Sequence, residues 1–182
     1  TGKYVVAKKV YKGKIEREFA IGKKIVNSMP NKKRAQHFMK TFYANQDTLV
    51  LEYVPGISLL QLIQSDNFSV AKLCSILRLV CENIDHAQTW CGFVHGDLCP
   101  TNIILRNNDH SDPCIIDYGN SRGVTEFGQV IWTLPYLQQF SPYQDMWHLG
   151  ITTLYHISRR RDSIQHSRFI EKMAELFFKT QM

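Results

Sequence analysis

The spacing of apolar and polar positions changes several times along the chain, and each change marks an element. The opening Lys3-Tyr4-Val5-Val6-Ala7-Lys8-Lys9-Val10 is short and β-branched between Gly2 and Gly13, which predicts a strand. From Lys14 to Val26 the positions Ile15, Phe19, Ile21, Ile25 and Val26 recur near helical spacing, until Ser28, Pro30 and Asn31 break the pattern. Two short strands are predicted near 37–43 and 48–54, the second closed by Pro55-Gly56. Beyond Gly56 the character is helical. Val70, Leu73, Cys74, Leu77, Val80, Cys81 and Ile84 step by threes and fours behind Ser69 as N-cap, predicting a helix over 69–90 with Cys74 and Cys81 in the core. Ile103-Ile104-Leu105 and Cys114-Ile115-Ile116, separated by a polar turn from Asn107 to Asp112, read as a β-hairpin. Residues 117–141 carry Gly119, Gly123, Gly128 and Pro135 with weak periodicity and read as mostly loop. Helices over 143–158 and 163–179 follow, and no repeat interrupts the order. Strand, helix, strand, strand, then helices around one hairpin is an α+β pattern. It divides into two lobes, 1–55 and 56–182.

Composition narrows this picture. With 182 residues, 44% of them hydrophobic, the chain can bury the core of one ordinary domain. Its unbroken apolar runs of three or four residues fall far short of the roughly 18 needed to span a bilayer, which excludes a membrane-spanning role. Thr1 stands first, with no charged-then-apolar leader, and leaves room for upstream residues. The charge is lopsided: residues 1–50 hold twelve Lys/Arg against three acidic residues, a net of +9, and the remainder ten against thirteen, a net of −3. Such a field attracts phosphates, nucleic acid or acidic protein surfaces, although a solvated lysine-rich face is the favoured reading, and nucleic acid is not the expected partner. Five cysteines, an odd count without a C-x-x-C pair, fit a reduced intracellular protein, cytoplasmic or nuclear, with no structural metal.

The chemistry concentrates around the hairpin. His95-Gly96-Asp97-Leu98-Cys99-Pro100-Thr101-Asn102 places a carboxylate and an amide five residues apart just before a strand. Ile115-Ile116-Asp117-Tyr118-Gly119 places a second carboxylate at the end of the paired strand. Pairing of 103–105 with 114–116 brings Asn102 and Asp117 to neighbouring ends, where oxygen ligands can share a hard cation such as Mg²⁺. Asp97 beside them can accept a hydroxyl proton while the metal neutralises a transferring phosphate. Singly, each of these residues reads as an ordinary turn or capping residue; the ordered set does not.

The ordered set resembles the eukaryotic protein kinase family over nearly the whole chain. Val6-Ala7-Lys8-Lys9 is similar to the V-A-x-K strand motif, which implies that Lys9 meets the phosphates of ATP and that Ala7, on the same face, lines the nucleotide site, with Lys8 as the fallback. Glu18 resembles the helix glutamate that pairs with that lysine, Glu16 being the next choice. Leu49-Val50-Leu51-Glu52-Tyr53-Val54-Pro55-Gly56 looks like the last strand and hinge of the first lobe. The resemblance implies adenine bonds from the backbone of Glu52 and Val54, with Leu51 gating the pocket behind. His95-Gly96-Asp97 resembles the catalytic H-R-D, Asn102 the loop asparagine and Asp117-Tyr118-Gly119 the D-F-G metal site. Asp145-Met146-Trp147-His148-Leu149-Gly150 resembles the start of a central helix whose Asp braces the catalytic loop.

The departures shape the functional expectation. None of the ten glycines forms a G-x-G-x-x-G, and Thr1-Gly2-Lys3-Tyr4 looks like the turn entering the lysine strand. The phosphate-covering loop is therefore missing from these residues, which implies weak ATP binding, and the last helices of the second lobe are lacking, a pattern that resembles the minimal, compact members of viral type. Gly96 replaces the catalytic-loop arginine, so a phosphate on Ser121, Thr125 or Thr133 finds no partner there. Cys99 stands where Ser/Thr-specific members carry lysine, and Tyr136-Leu137-Gln138-Gln139-Phe140 lacks the A-P-E glutamate. The resemblance implies a protein Ser/Thr kinase using Mg-ATP. The alternatives are a pseudokinase or decoy that binds a partner kinase or its substrate, and a small-molecule kinase of the aminoglycoside or choline phosphotransferase type, which the H-G-D form suggests. The uncovered lysine-rich edge of the first strand invites pairing with an acidic partner or with a second copy, as a homodimer.

Overall fold

A computed structural model describes residues 4–9, 15–30, 32–124, 130–132 and 143–179. Strand β1 (Val5–Lys9) pairs antiparallel with β3 (Thr48–Glu52), and β3 with β2 (Thr41–Ala44), giving the sheet order β1-β3-β2 with β1 at an edge. Helix α1 (Ile15–Ser28) packs on this sheet through Ile15, Ile21 and Ile25, all buried. The short α2 (Lys32–Ala35) leads back to β2. The predicted second strand begins later than expected because Phe38 bridges to Ile115 of the hairpin and Met39 donates its N–H to the Ile115 carbonyl.

The second lobe holds two elements that the helical reading after Gly56 passed over. Gly56–Ser58 is a strand, β4, paired with β5 (Ile103–Arg106), which in turn pairs with β6 (Pro113–Ile115). Helix α3 (Leu59–Gln64) follows immediately, because Ser58 and Gln61 close a reciprocal capping box over its first turn. The hairpin therefore forms as expected, but inside a three-stranded sheet. Helix α4 (Val70–Cys91) is capped by the Ser69 hydroxyl. Its buried stripe runs Leu73, Ile76, Val80, Ile84, Ala87 and Cys91, which leaves Cys74 and Cys81 exposed, one position off the stripe. Their expected place in the core is thereby corrected.

The stretch read as loop contains β7 (Arg122–Val124) and β8 (Val130–Trp132), a small antiparallel pair. Helices α5 (Tyr143–Ser158) and α6 (Ser167–Lys179) pack on one another, with a 3₁₀ turn at Ser163–His166 between them. One continuous core runs from Ile15, Leu49 and Phe38 through Phe93, Ile103 and Ile115 to Leu149 and Ile157. The result is an α+β fold of two lobes. No described helix is long and apolar enough to cross a membrane.

Candidate active site

The two lobes meet at a cavity of about 260 Å³ lined by Val6, Lys8, Leu51, Tyr53, Ile104 and Ile116, with Met39, Glu52, Val54 and Asp117 completing its wall. Strand alternation puts Val6 and Lys8 on the cavity side of β1. Ala7 and Lys9 lie on the other face, and both are exposed. The expectation for Lys9 and Ala7 is therefore corrected by one residue. In the β1–β3 register Lys8 sits opposite Leu49 and Val6 opposite Leu51, whose side chains are buried.

The Lys8 ammonium donates to Glu18 Oε1 at 3.0 Å and to Asp117 Oδ1 at 2.7 Å. Glu18 is 1% exposed on the inner face of α1, whereas Glu16 is exposed and takes no part. Burial alone would lower the Lys8 pKa, but Asp117 and Glu18 outweigh it and raise it above its ordinary value. Burial would conversely raise the Asp117 carboxyl, and Lys8 with the Gly119 N–H holds it below the ordinary range. Asp117 adopts φ +62°, a costly conformation for a non-glycine residue, and thereby turns its carboxylate back onto the Gly119 amide. A Cβ on Gly119 would lie 3.2 Å from that carboxylate, which would have to give by a few tenths of an ångström, and at ordinary contact distance, 3.6 Å, from the Lys8 ammonium.

The loop before β5 is set from beneath. Asp145, 1% exposed in the first turn of α5, accepts the backbone N–H groups of His95 at 2.7 Å and Gly96 at 2.8 Å. Burial pushes its carboxyl above the ordinary range against these donors. The buried His95 ring donates through Nε2 to the Ile116 carbonyl at 2.9 Å and accepts the Asp97 N–H through Nδ1 at 3.3 Å. Gly96 has φ +76°, and a Cβ there would drive into the Asn120 carbonyl oxygen. Glycine at this place is thus required by the backbone path, and an arginine would not fit. The Asn102 amide nitrogen donates to the Asp97 carbonyl at 2.9 Å and lies 3.5 Å from the Asp97 carboxylate. The Asn102 carbonyl accepts the Ile116 N–H at 3.0 Å, which seats Asn102 beside the residue preceding Asp117. Tyr118, fully buried, donates its hydroxyl to the carbonyls of Met39 and Ile115 and meets Phe93 and His95 edge-on.

A family model for the protein kinase domain matches residues 1–180 of this chain. The chain belongs to the protein kinase family. Among curated relatives, it is similar to the serine/threonine-protein kinase shk1/pak1 of Schizosaccharomyces pombe, at 26% identity over 149 residues covering 76% of this chain and 22% of that protein. Myosin light chain kinase family member 4 of Homo sapiens is 31% identical over 119 residues, covering 59% of this chain and 30% of that protein. Serine/threonine-protein kinase D of Synechocystis is 30% identical over 132 residues, with 64% and 25% covered. The chain thus spans under a third of the length of the curated relatives it matches.

Within this kinase domain, Lys8, Asp117, Leu51, Glu52 and Val54 line one cavity, and the buried Glu18 holds Lys8 from behind. Asp97 and Asn102 lie next to each other, and Asn102 bonds the backbone of Ile116, a cavity residue. Ser121 is 1% exposed and donates its hydroxyl to the His95 carbonyl, so it is a buried strut and not an accessible phosphorylation site. Thr125, Thr133 and the stretch Tyr136 to Phe140 lie outside the described residues. Two side chains near the site escaped the sequence reading. His148 of α5 brings Nδ1 to 3.9 Å from Asp97 Oδ1, a position legible only as one helical turn beyond Asp145. Arg106, at the end of β5, binds Glu52 across the lobes. Nothing in its local sequence announces that partner 54 residues away.

Proposed function

We propose that this kinase domain transfers the terminal phosphoryl group of Mg-ATP to serine or threonine hydroxyls of protein substrates. The observation that supports this most directly is the Lys8 ammonium held between Glu18 and Asp117 in the lining of the interlobe cavity. In this reading the apolar walls from Val6, Leu51, Ile104 and Ile116 take the adenine, and the backbone of Glu52 to Val54 recognises its edge. Lys8 presents one ammonium to the phosphates, fixed by a buried glutamate. Asp97 accepts the proton of the incoming hydroxyl, with Asn102 restraining the loop that carries it.

The donor set suits a hard cation. The Asn102 amide nitrogen faces Asp97, which leaves its Oδ1 for a ligand, and Asp117 bonds Lys8 and Gly119 through Oδ1, which leaves Oδ2. Asn102 and Asp117 are accordingly the residues that would hold Mg²⁺, whose chemistry is to neutralise charge on the phosphates. These 182 residues contain no Gly-rich phosphate loop, so affinity in the high micromolar range or weaker is expected of this chain.

The test combines binding with turnover. A thermal shift that requires both ATP and Mg²⁺, lost in Asp117→Asn, together with phosphate transfer to a protein panel that is lost in Asp97→Asn, supports the proposal. Equal stabilisation by ATP in chelator and in Mg²⁺ overturns the metal-assisted site. Metal-dependent binding without transfer to any protein assigns the domain to the pseudokinase class instead.

A further inference from the structure

Arg106 bonds three residues, Glu52, Gln36 and Cys114, of which Glu52 lines the cavity. Its Nη1 donates to Glu52 Oε1 at 2.7 Å, and Nη2 reaches Glu52 Oε2 at 3.3 Å, the Gln36 carbonyl at 3.0 Å and the Cys114 sulfur at 3.1 Å. The two charged side chains are only 14% and 18% exposed. Asp112 lies further off, 4.0 Å from the Arg106 Nε. Glu52 is itself a junction: its Oε2 accepts the Lys40 N–H at 3.0 Å, and its own N–H donates to the Lys40 carbonyl at 2.9 Å. One guanidinium thus ties β5 and β6 of the second lobe to the end of β3 and, through Glu52, to the entry of β2.

The location gives this cluster its consequence. Ile104, part of the cavity floor, and Arg106 are two residues apart on β5 and share a face. Glu52 belongs to the wall, and Met39, next to Lys40, is another wall residue. A bidentate Arg–carboxylate pair fixes angle as well as distance. It therefore sets the height of the floor at Ile104 against the wall at Leu51 to Val54.

We propose that Arg106 is a positioning residue for nucleotide binding: by clamping Glu52 it holds the interlobe strand at the spacing that accepts a planar base. This rests on the reading of the cavity as the nucleotide site. Arg106 is not among the residues that line the cavity and reaches it through Glu52, so its loss is expected to act on the adenine end.

The experiment compares wild type, Arg106→Gln, Arg106→Lys, Glu52→Gln and the Arg106→Gln/Glu52→Gln double variant in the full chain, by titration with ATP-Mg and with adenosine, by steady-state kinetics, and by hydrogen exchange of the 52–55 amides without nucleotide. Arg106→Gln is expected to weaken ATP and adenosine alike by about tenfold, raise KM with kcat changed less than about threefold, and speed exchange at 52–55. Arg106→Lys keeps the charge without the fork and is expected to fall between, and the loss in Glu52→Gln should not add to that of Arg106→Gln. Affinities within about twofold of wild type together with unchanged exchange overturn the role of Arg106 while leaving the site reading intact. Absence of any nucleotide binding in wild type overturns the site reading, and the clamp's function with it. Should Arg106→Gln fail to fold, Arg106→Lys decides by the same criteria.

Discussion

Removing the Lys8 ammonium leaves two carboxylates facing each other, one of them 1% exposed and the other in a left-handed backbone conformation. Lys8→Met is therefore expected to destabilise the domain by about 1–3 kcal/mol and to lower phosphotransfer by at least about a hundredfold. Lys9→Met, one residue along and facing solvent, should stay within about 0.5 kcal/mol of wild type and keep its activity. Denaturant titration and initial rates on both variants check this, and equal effects at the two positions would return the role to Lys9. Gly96→Ala tests the backbone in the same way. With φ +76° and the Asn120 carbonyl in the path of a Cβ, a loss of about 2 kcal/mol or more is expected, seen as a lowered Tm. An unchanged Tm would mean that the loop accommodates a side chain and that the glycine is there for another reason.

Among the elements, α4 gives the clearest prediction, because its stripe divides the cysteines. Cys74 and Cys81 face outward, whereas Cys91 and Cys114 are buried. Burial pushes the thiol pKa of Cys91 to about 11 and that of Cys114 to about 12, so both stay protonated near neutral pH. An alkylating reagent should label Cys74 first, Cys81 next because partial burial also pushes its thiol up, and Cys91 and Cys114 only at the rate of unfolding. Mass mapping after timed quench reads the order, and fast labelling of Cys114 would contradict the packing of β6 beneath Arg106. The β3–β5 crossing carries a second test. Burial would raise the Glu52 carboxyl, but the Arg106 and Lys40 hydrogen bonds hold it below its ordinary value of 4.5. The unfolded chain then binds more protons than the folded one as pH falls through this range, so the stabilisation is present above about pH 5 and is lost through the folded pKa. Glu52→Gln should flatten the acid limb of a stability-versus-pH curve, and a limb as steep as in wild type would show that the carboxylate is not held by the clamp.

For the whole molecule, the order of the chemical residues could be read along the chain and their meeting could not. Asp97, Asn102 and Asp117 stand out because a hairpin of short range brings them together, and local periodicity reports such pairings. The helix carrying Glu18 and the capped α4 were legible for the same reason: apolar spacing and an N-cap are properties of neighbouring residues. The choice between Lys8 and Lys9 rested instead on which face of β1 turns inward. That depends on the register with β3, some forty residues away, since a shift of one residue exchanges the faces of a strand. Cys74 and Cys81 fit a helical period as well as their neighbours do, and only the packing of α4 on the core selected the adjacent stripe. Strand β4 was hidden because its three residues pair with β5 almost fifty positions later. Arg106, Tyr118 and Asp145 owe their roles to partners 54, 79 and about 50 residues distant. The sequence by itself determined the family, the lobes and the ordered set of acids, amide and lysine strand, because those are written in local pattern. Tertiary structure decided which lysine, which carboxylate clamp and which face, because burial and strand register are set by contacts that no window of neighbouring residues contains.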